Sequence, residues 1–185
     1  MTRTTIIAAL ALALSAGAAS AQNAQPYAGM QARPLKALSA EQIADLKAGR
    51  GMGLALAAEL NGYPGPTHVL ELARELNLSD TQRARVELLF QAMKAETIPL
   101  GEKLIALEGD LDRQFAGRAI TPASLTTAMD TIGAAQAKLR TAHLKYHLST
   151  LDALTPAQAE RYTQLRGYAA AAPVGHSPQM QHQRK

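Results

Sequence analysis

Two histidines four residues apart carry the clearest chemical signal in the chain. His143 and His147 sit in the run LRTAHLKYHLSTLDALTPAQ, residues 139–158. On an α-helix that spacing places both imidazoles on one face, about one turn apart. Two neutral imidazoles so placed suit a transition-metal ion, although ordinary helix neighbours share the same spacing. A third histidine, His68, shares a helical face with Glu71 three residues later. HLKYH is not a zinc-protease helix, because the place after the first histidine that needs a general-base glutamate holds Leu144. With no nucleophile elbow, phosphate loop or suggestive carboxylate pair, the reading is of a protein that is not an enzyme.

The elements that must position these histidines follow from caps and periodicity. Leu38-Ser39-Ala40-Glu41-Gln42, Leu78-Ser79-Asp80-Thr81-Gln82 and Leu154-Thr155-Pro156-Ala157-Gln158 each join a Ser or Thr cap to a Gln at the third helical position, the signature of a capping box. Helices therefore begin near residues 40, 80 and 156. A stripe of Val86, Leu89, Phe90, Met93, Leu100, Leu104, Leu107, Leu111 and Phe115 predicts a long amphipathic helix from about 80 to 116. Pro99 inside it predicts a kink or short break. Thr121-Pro122 opens a second long helix with an apolar line through Leu125, Met129, Ile132, Leu139, His143 and Tyr146. The short turn from Gly117 to Thr121 makes the two long helices antiparallel. Pro66 starts a helix that runs to about Leu76, whereas Gly49, Gly51, Gly53 and the run Asn61-Gly62-Tyr63-Pro64-Gly65-Pro66 interrupt regular structure.

Counting residues along such a hairpin pairs His147 with a level near 91 and His68 with about 87 to 88. At 1.5 Å rise per residue these levels differ by roughly one helical turn. The predicted metal site is accordingly His68, His143 and His147, with Glu71 or Met93 near enough to add a ligand, and Zn, Cu, Ni or Co as the candidate ions. The alternative is structural: His143 buried against a carboxylate, His147 facing solvent, and His68 simply near a helix start. His176, Met180 and His182 near the C-terminus are weak additional donors.

Composition narrows the function classes. The chain has 185 residues, 47% of them hydrophobic but only 4% aromatic, which favours helices packed through Ala and Leu. A net charge of +4, with basic residues scattered among acids, argues against nucleic-acid binding. Residues 1–21 read as a cleavable signal peptide: Arg3, an apolar Ile6 to Leu14, and Ala19-Ser20-Ala21 as the cleavage site. The mature chain would begin at Gln22 in the periplasm, with no further transmembrane segment. No Cys is present, so stability there must come without disulfides. Residues 22–65 read as an extended arm, a short helix and a Gly/Pro-rich segment, 66–168 as the helical domain, and 169–185 as a disordered tail.

On its three Leu-Ser/Thr-x-x-Gln units the chain resembles the Spy/CpxP family of periplasmic proteins, whose hallmark is a repeated LTxxQ motif, and the related periplasmic heavy-metal sensor and resistance proteins. The resemblance covers roughly residues 66–168, and two units carry Ser in place of Thr. It implies an all-α fold: a long antiparallel hairpin with short flanking helices, four-helix-like, commonly a homodimer acting in envelope stress. Spy-like members imply an ATP-independent holdase that shelters unfolded envelope proteins, here through apolar patches rimmed by Lys94, Lys103, Arg113 and Lys138. The metal-sensing relatives imply cation binding through His, Glu and Met and a membrane-bound signalling partner. The Gly/Pro-rich segment 49–66 departs from the holdase pattern and could cover the face that a holdase leaves open.

Overall fold

A computed structural model of the chain describes residues 25–168. The signal-peptide assignment and the tail donors His176, Met180 and His182 lie outside the described residues. All regular structure among those residues is helical: α1 (Ala40–Ala48), α2 (Leu56–Glu59), α3 (Pro66–Glu71), α4 (Asp80–Ala116), α5 (Pro122–Leu151) and α6 (Pro156–Leu165). The two long helices, α4 and α5, form the expected antiparallel hairpin, and α1 and α3 pack on α4. Among the described residues, no helix is long and apolar enough to cross a membrane.

The caps form as the motif requires. Ser39, Ser79 and Thr155 each accept from the backbone N–H of the Gln three residues on, and that Gln side chain accepts from the cap's own N–H. Two of these glutamines also bond to each other. Gln82 Nε2 donates to Gln158 Oε1 at 2.7 Å and to the carbonyl of Ala153 at 3.1 Å. Gln158 Nε2 donates to Gln82 Oε1 at 3.0 Å and to the carbonyl of Leu76 at 3.2 Å. The repeated motif thus closes two helix starts and ties them together, which a single-helix account of capping does not foresee. Beside the tie, Val69, Leu76, Val86, Ala153 and Tyr162 form one apolar core.

A second core of Leu46, Leu104, Ile132, Ala135 and Leu139 lies along the hairpin under α1. The close crossing of α1 over α4 depends on Gly101, where an added Cβ would stand 2.5 Å from the backbone oxygen of Leu46. Between the two cores, α5 turns His143 and His147 inward.

Several expectations need correction. α4 runs as one continuous helix through Pro99, so the short break allowed there does not form. α3 ends at Glu71 and turns lead to Asn77, whose φ of 50° reverses the chain before the Ser79 cap. Residues 25–37, read as the end of an extended arm, form turns and a short 3-10 helix, Met30–Ala32, and Leu35 is buried. At the far tip of the hairpin Phe115, Leu125 and Met129 are exposed rather than buried, because the second core reaches no farther along α5 than Ile132.

Candidate functional site

The glycine- and proline-rich residues 49–65 form a strap laid across the inward-facing imidazoles of α5. At Gly65 glycine lets the backbone come this near, whereas the approach at Gly51 is an ordinary contact. A Cβ on Gly51 would lie 3.5 Å from His143 Nδ1, and one on Gly65 would lie 2.8 Å from His147 Cε1 and 2.9 Å from Nε2. Pro64 and Pro66, both fully buried, flank Gly65 and restrict the strap before it folds. The strap, α3, α4, α5 and the residues just after α6 line a partly open cavity of about 210 Å³. His68, His143 and His147 all line it, together with Glu59, Met52, Met93, Arg166 and Tyr168.

Each histidine reaches this cavity differently. His143 is 3% exposed, and its Nε2 is buried without a hydrogen-bond partner. Burial, and next the neighbouring His147, push its pKa below the ordinary imidazole range, so the ring is neutral near pH ~7. His147 is also buried, contrary to the solvent-facing alternative. Its Nδ1 stands 2.7 Å from the carbonyl oxygen of Tyr63 in the strap. A carbonyl only accepts, so this contact places a proton on Nδ1 and leaves Nε2 as the free ring nitrogen. His68 is partly exposed, and its Nδ1 donates to Glu71 Oε2 at 2.8 Å. Engagement of Nδ1 by a carbonyl or carboxylate is the arrangement that orients metal-binding imidazoles through Nε2.

The carboxylate at the site is Glu59 rather than Glu71. Glu71 is tied to His68 and does not line the cavity, whereas Glu59, on the four-residue α2, is 7% exposed and does. The Tyr162 hydroxyl donates to Glu59 Oε1 in a short bond, and Arg166 Nε lies 3.5 Å from the same oxygen. Burial first, and then this bond to Glu59, push the Tyr162 pKa far upward, which keeps the phenol protonated as a donor. Glu59 Oε2 is buried without a hydrogen-bond partner, 3.7 Å from His147 Nδ1. Arg166 in turn donates through Nη2 to the Tyr168 hydroxyl at 3.0 Å.

Reading the sequence thus found the three histidines and Met93 but missed Glu59, Tyr162, Arg166 and the Tyr63 carbonyl. Glu59 carries no local signal, since it stands alone in the apolar run LALAAEL. The paired prolines around Gly65 were the available hint that the strap is held in one place. Among the described residues, no group of three or more His, Asp or Glu side chains is arranged to hold a metal ion. Nitrogen and sulfur donors both line the cavity. The nitrogens are those of His143 and His147, and the thioethers are those of Met93, which is buried, and Met52, which is exposed. Such a set fits a soft or borderline cation. Comparison with protein-family models, with curated proteins and with solved structures gave no match to this chain.

Proposed function

We propose that this chain binds a transition-metal ion, copper before zinc, nickel or cobalt, and acts in the cell envelope as a metal sensor or buffer related to the Spy/CpxP proteins. The observation that carries the reading is the buried, unpartnered Nε2 of His143, a residue that lines one cavity with His147 and Met93. An uncompensated buried nitrogen costs free energy in the ligand-free fold, and a cation recovers it. His143 and His147 would hold the ion through Nε2 and Met93 through its thioether, with His68 at the partly exposed edge. Two imidazoles and a thioether favour copper, above all its monovalent state. Because Tyr63 bonds His147 and Gly65 packs on it, an ion at Nε2 would also fix the strap, giving a sensor something to report to a membrane partner.

A holdase is the second reading, and exposed Leu88, Leu148, Phe115 and Met129 favour it. Against it, α1 buries Leu46 in the hairpin core and the strap covers α5, occupying the surface that a Spy-like client would need.

Titration of the full chain with Cu(I) against a chromophoric chelator, and with Zn, Ni and Co by calorimetry at pH ~8, where imidazoles are neutral, tests the proposal. The expected result is stoichiometric Cu(I) binding that weakens at least tenfold in His143→Ala/His147→Ala. Equal affinity in the variant would remove the site and leave the holdase as the better reading.

A further inference from the structure

A second concavity lies on the other side of the strap, where α1 and residues 52–54 meet α4 and α5. It is a groove of about 470 Å³, within the range of small-ligand sites. Its leucines are buried Leu46, Leu104 and Leu139 and half-buried Leu38 and Leu54. Met52 is the one residue that it shares with the histidine cavity.

The polar groups of the groove all offer donors. No Asp or Glu lines it. Arg140 at its edge makes no ion pair or side-chain hydrogen bond among the described residues. Gln42, also at the edge, spends its Oε1 on the Ser39 cap, which leaves its NH₂ free. Gln136 supplies a further amide. A guanidinium with a free fork beside an apolar trough matches a carboxylate that ends an apolar chain. Gly133 lines the trough, and a Cβ there would meet nothing within 4 Å, so a larger side chain at this position has open space to fill. In the interior of a helix such a glycine costs stability relative to alanine, and here it leaves room along the groove.

We propose that this groove binds a free long-chain carboxylic acid, with the alkyl chain along the leucines and the carboxylate at Arg140. The site uses none of the histidines and meets the histidine cavity only at Met52.

Fluorescence titration of the full chain with cis-parinaric acid and with its methyl ester is the test. Saturable binding of the acid is expected, about tenfold weaker in Arg140→Gln, with the ester unaffected by that change. Gly133→Leu should abolish binding of both, with helix content by circular dichroism unchanged. Should Gly133→Leu fail to fold, Arg140→Gln, at an exposed position, decides alone. The absence of saturable binding overturns the proposal, as does equal binding of the acid by wild type and Arg140→Gln, which is the outcome of adsorption to exposed Leu88 and Leu148. Capture of anionic phospholipid vesicles without binding of the monomeric acid overturns it in favour of a lipid surface.

Discussion

Replacing Gly65 by Ala adds one methyl group to the strap and aims it at His147. The backbone there has φ −85° and ψ 151°, open to any residue, so no conformational strain accompanies the change. The added Cβ would stand 2.8 Å from Cε1 and 2.9 Å from Nε2 of an imidazole that is only 8% exposed. Either the ring or the strap must move, and either motion stretches the 2.7 Å contact of Nδ1 with Tyr63. Overpacking costs about 1–3 kcal/mol and the weakened hydrogen bond about 1 kcal/mol. Loss of unfolded-state freedom returns about 0.4–1 kcal/mol. The net destabilisation is about 2 kcal/mol, which in a chain of this size lowers Tm by roughly 4–8 °C. Urea denaturation of Gly65→Ala, His147→Ala and the double variant closes a cycle in which most of that cost disappears once the ring is gone. Gly51→Ala, whose Cβ would make an ordinary 3.5 Å contact with His143, should stay within about 0.5 kcal/mol of wild type. An undiminished Gly65→Ala cost in the His147→Ala background would refute the seating of the imidazole by the strap.

Tyr162→Phe leaves the packing of a fully buried ring intact but removes its bond to Glu59. A loss of about 1.5–3 kcal/mol is expected from the urea midpoint, and an unchanged midpoint would mean that the hydroxyl does not hold that carboxylate. Gly101→Ala would drive a Cβ to 2.5 Å from the Leu46 carbonyl, so α1 should lose amide-exchange protection despite the helix propensity gained on α4; retained protection contradicts the close crossing. The pKa of His143 in the fold lies below its unfolded value of about 6.5, so between the two values the unfolded chain binds the extra proton and stability rises with pH. The urea midpoint should therefore fall as pH drops below ~6.5. His143→Gln should flatten part of that fall, and an identical slope in the variant would show that the ring is not held neutral by burial.

The long helices, their caps and their antiparallel pairing were legible because each rests on local rules: Ser79 and Gln82 bond within one turn, and the stripe from Val86 to Leu111 has helical period. Register counting along the hairpin also brought His68 to within about one helical turn of the level of His147, and the three histidines line one cavity. What stayed hidden depends on contacts far apart in sequence. Tyr162 reaches back 103 residues to Glu59, and Gln158 reaches 76 residues to Gln82. The short break allowed at Pro99 does not form: buried Met93, Thr97, Gly101 and Leu104 lie on both sides of it in one unbroken helix, and their packing outweighs the single missing donor. The strap looked like an interruption since its glycines have no periodicity; of them, Gly51 and Gly65 lie against the two imidazoles, and only Gly65 is pressed close.

X-ray absorption at the copper edge of the Cu(I)-loaded full chain tests the central claim most directly. A first shell containing both imidazole nitrogen and sulfur is predicted, with the sulfur lost in Met93→Leu and the imidazole signature lost in His143→Ala/His147→Ala. A shell of oxygen and nitrogen alone, unchanged in both variants, would contradict the assignment of the strapped cavity as a metal site.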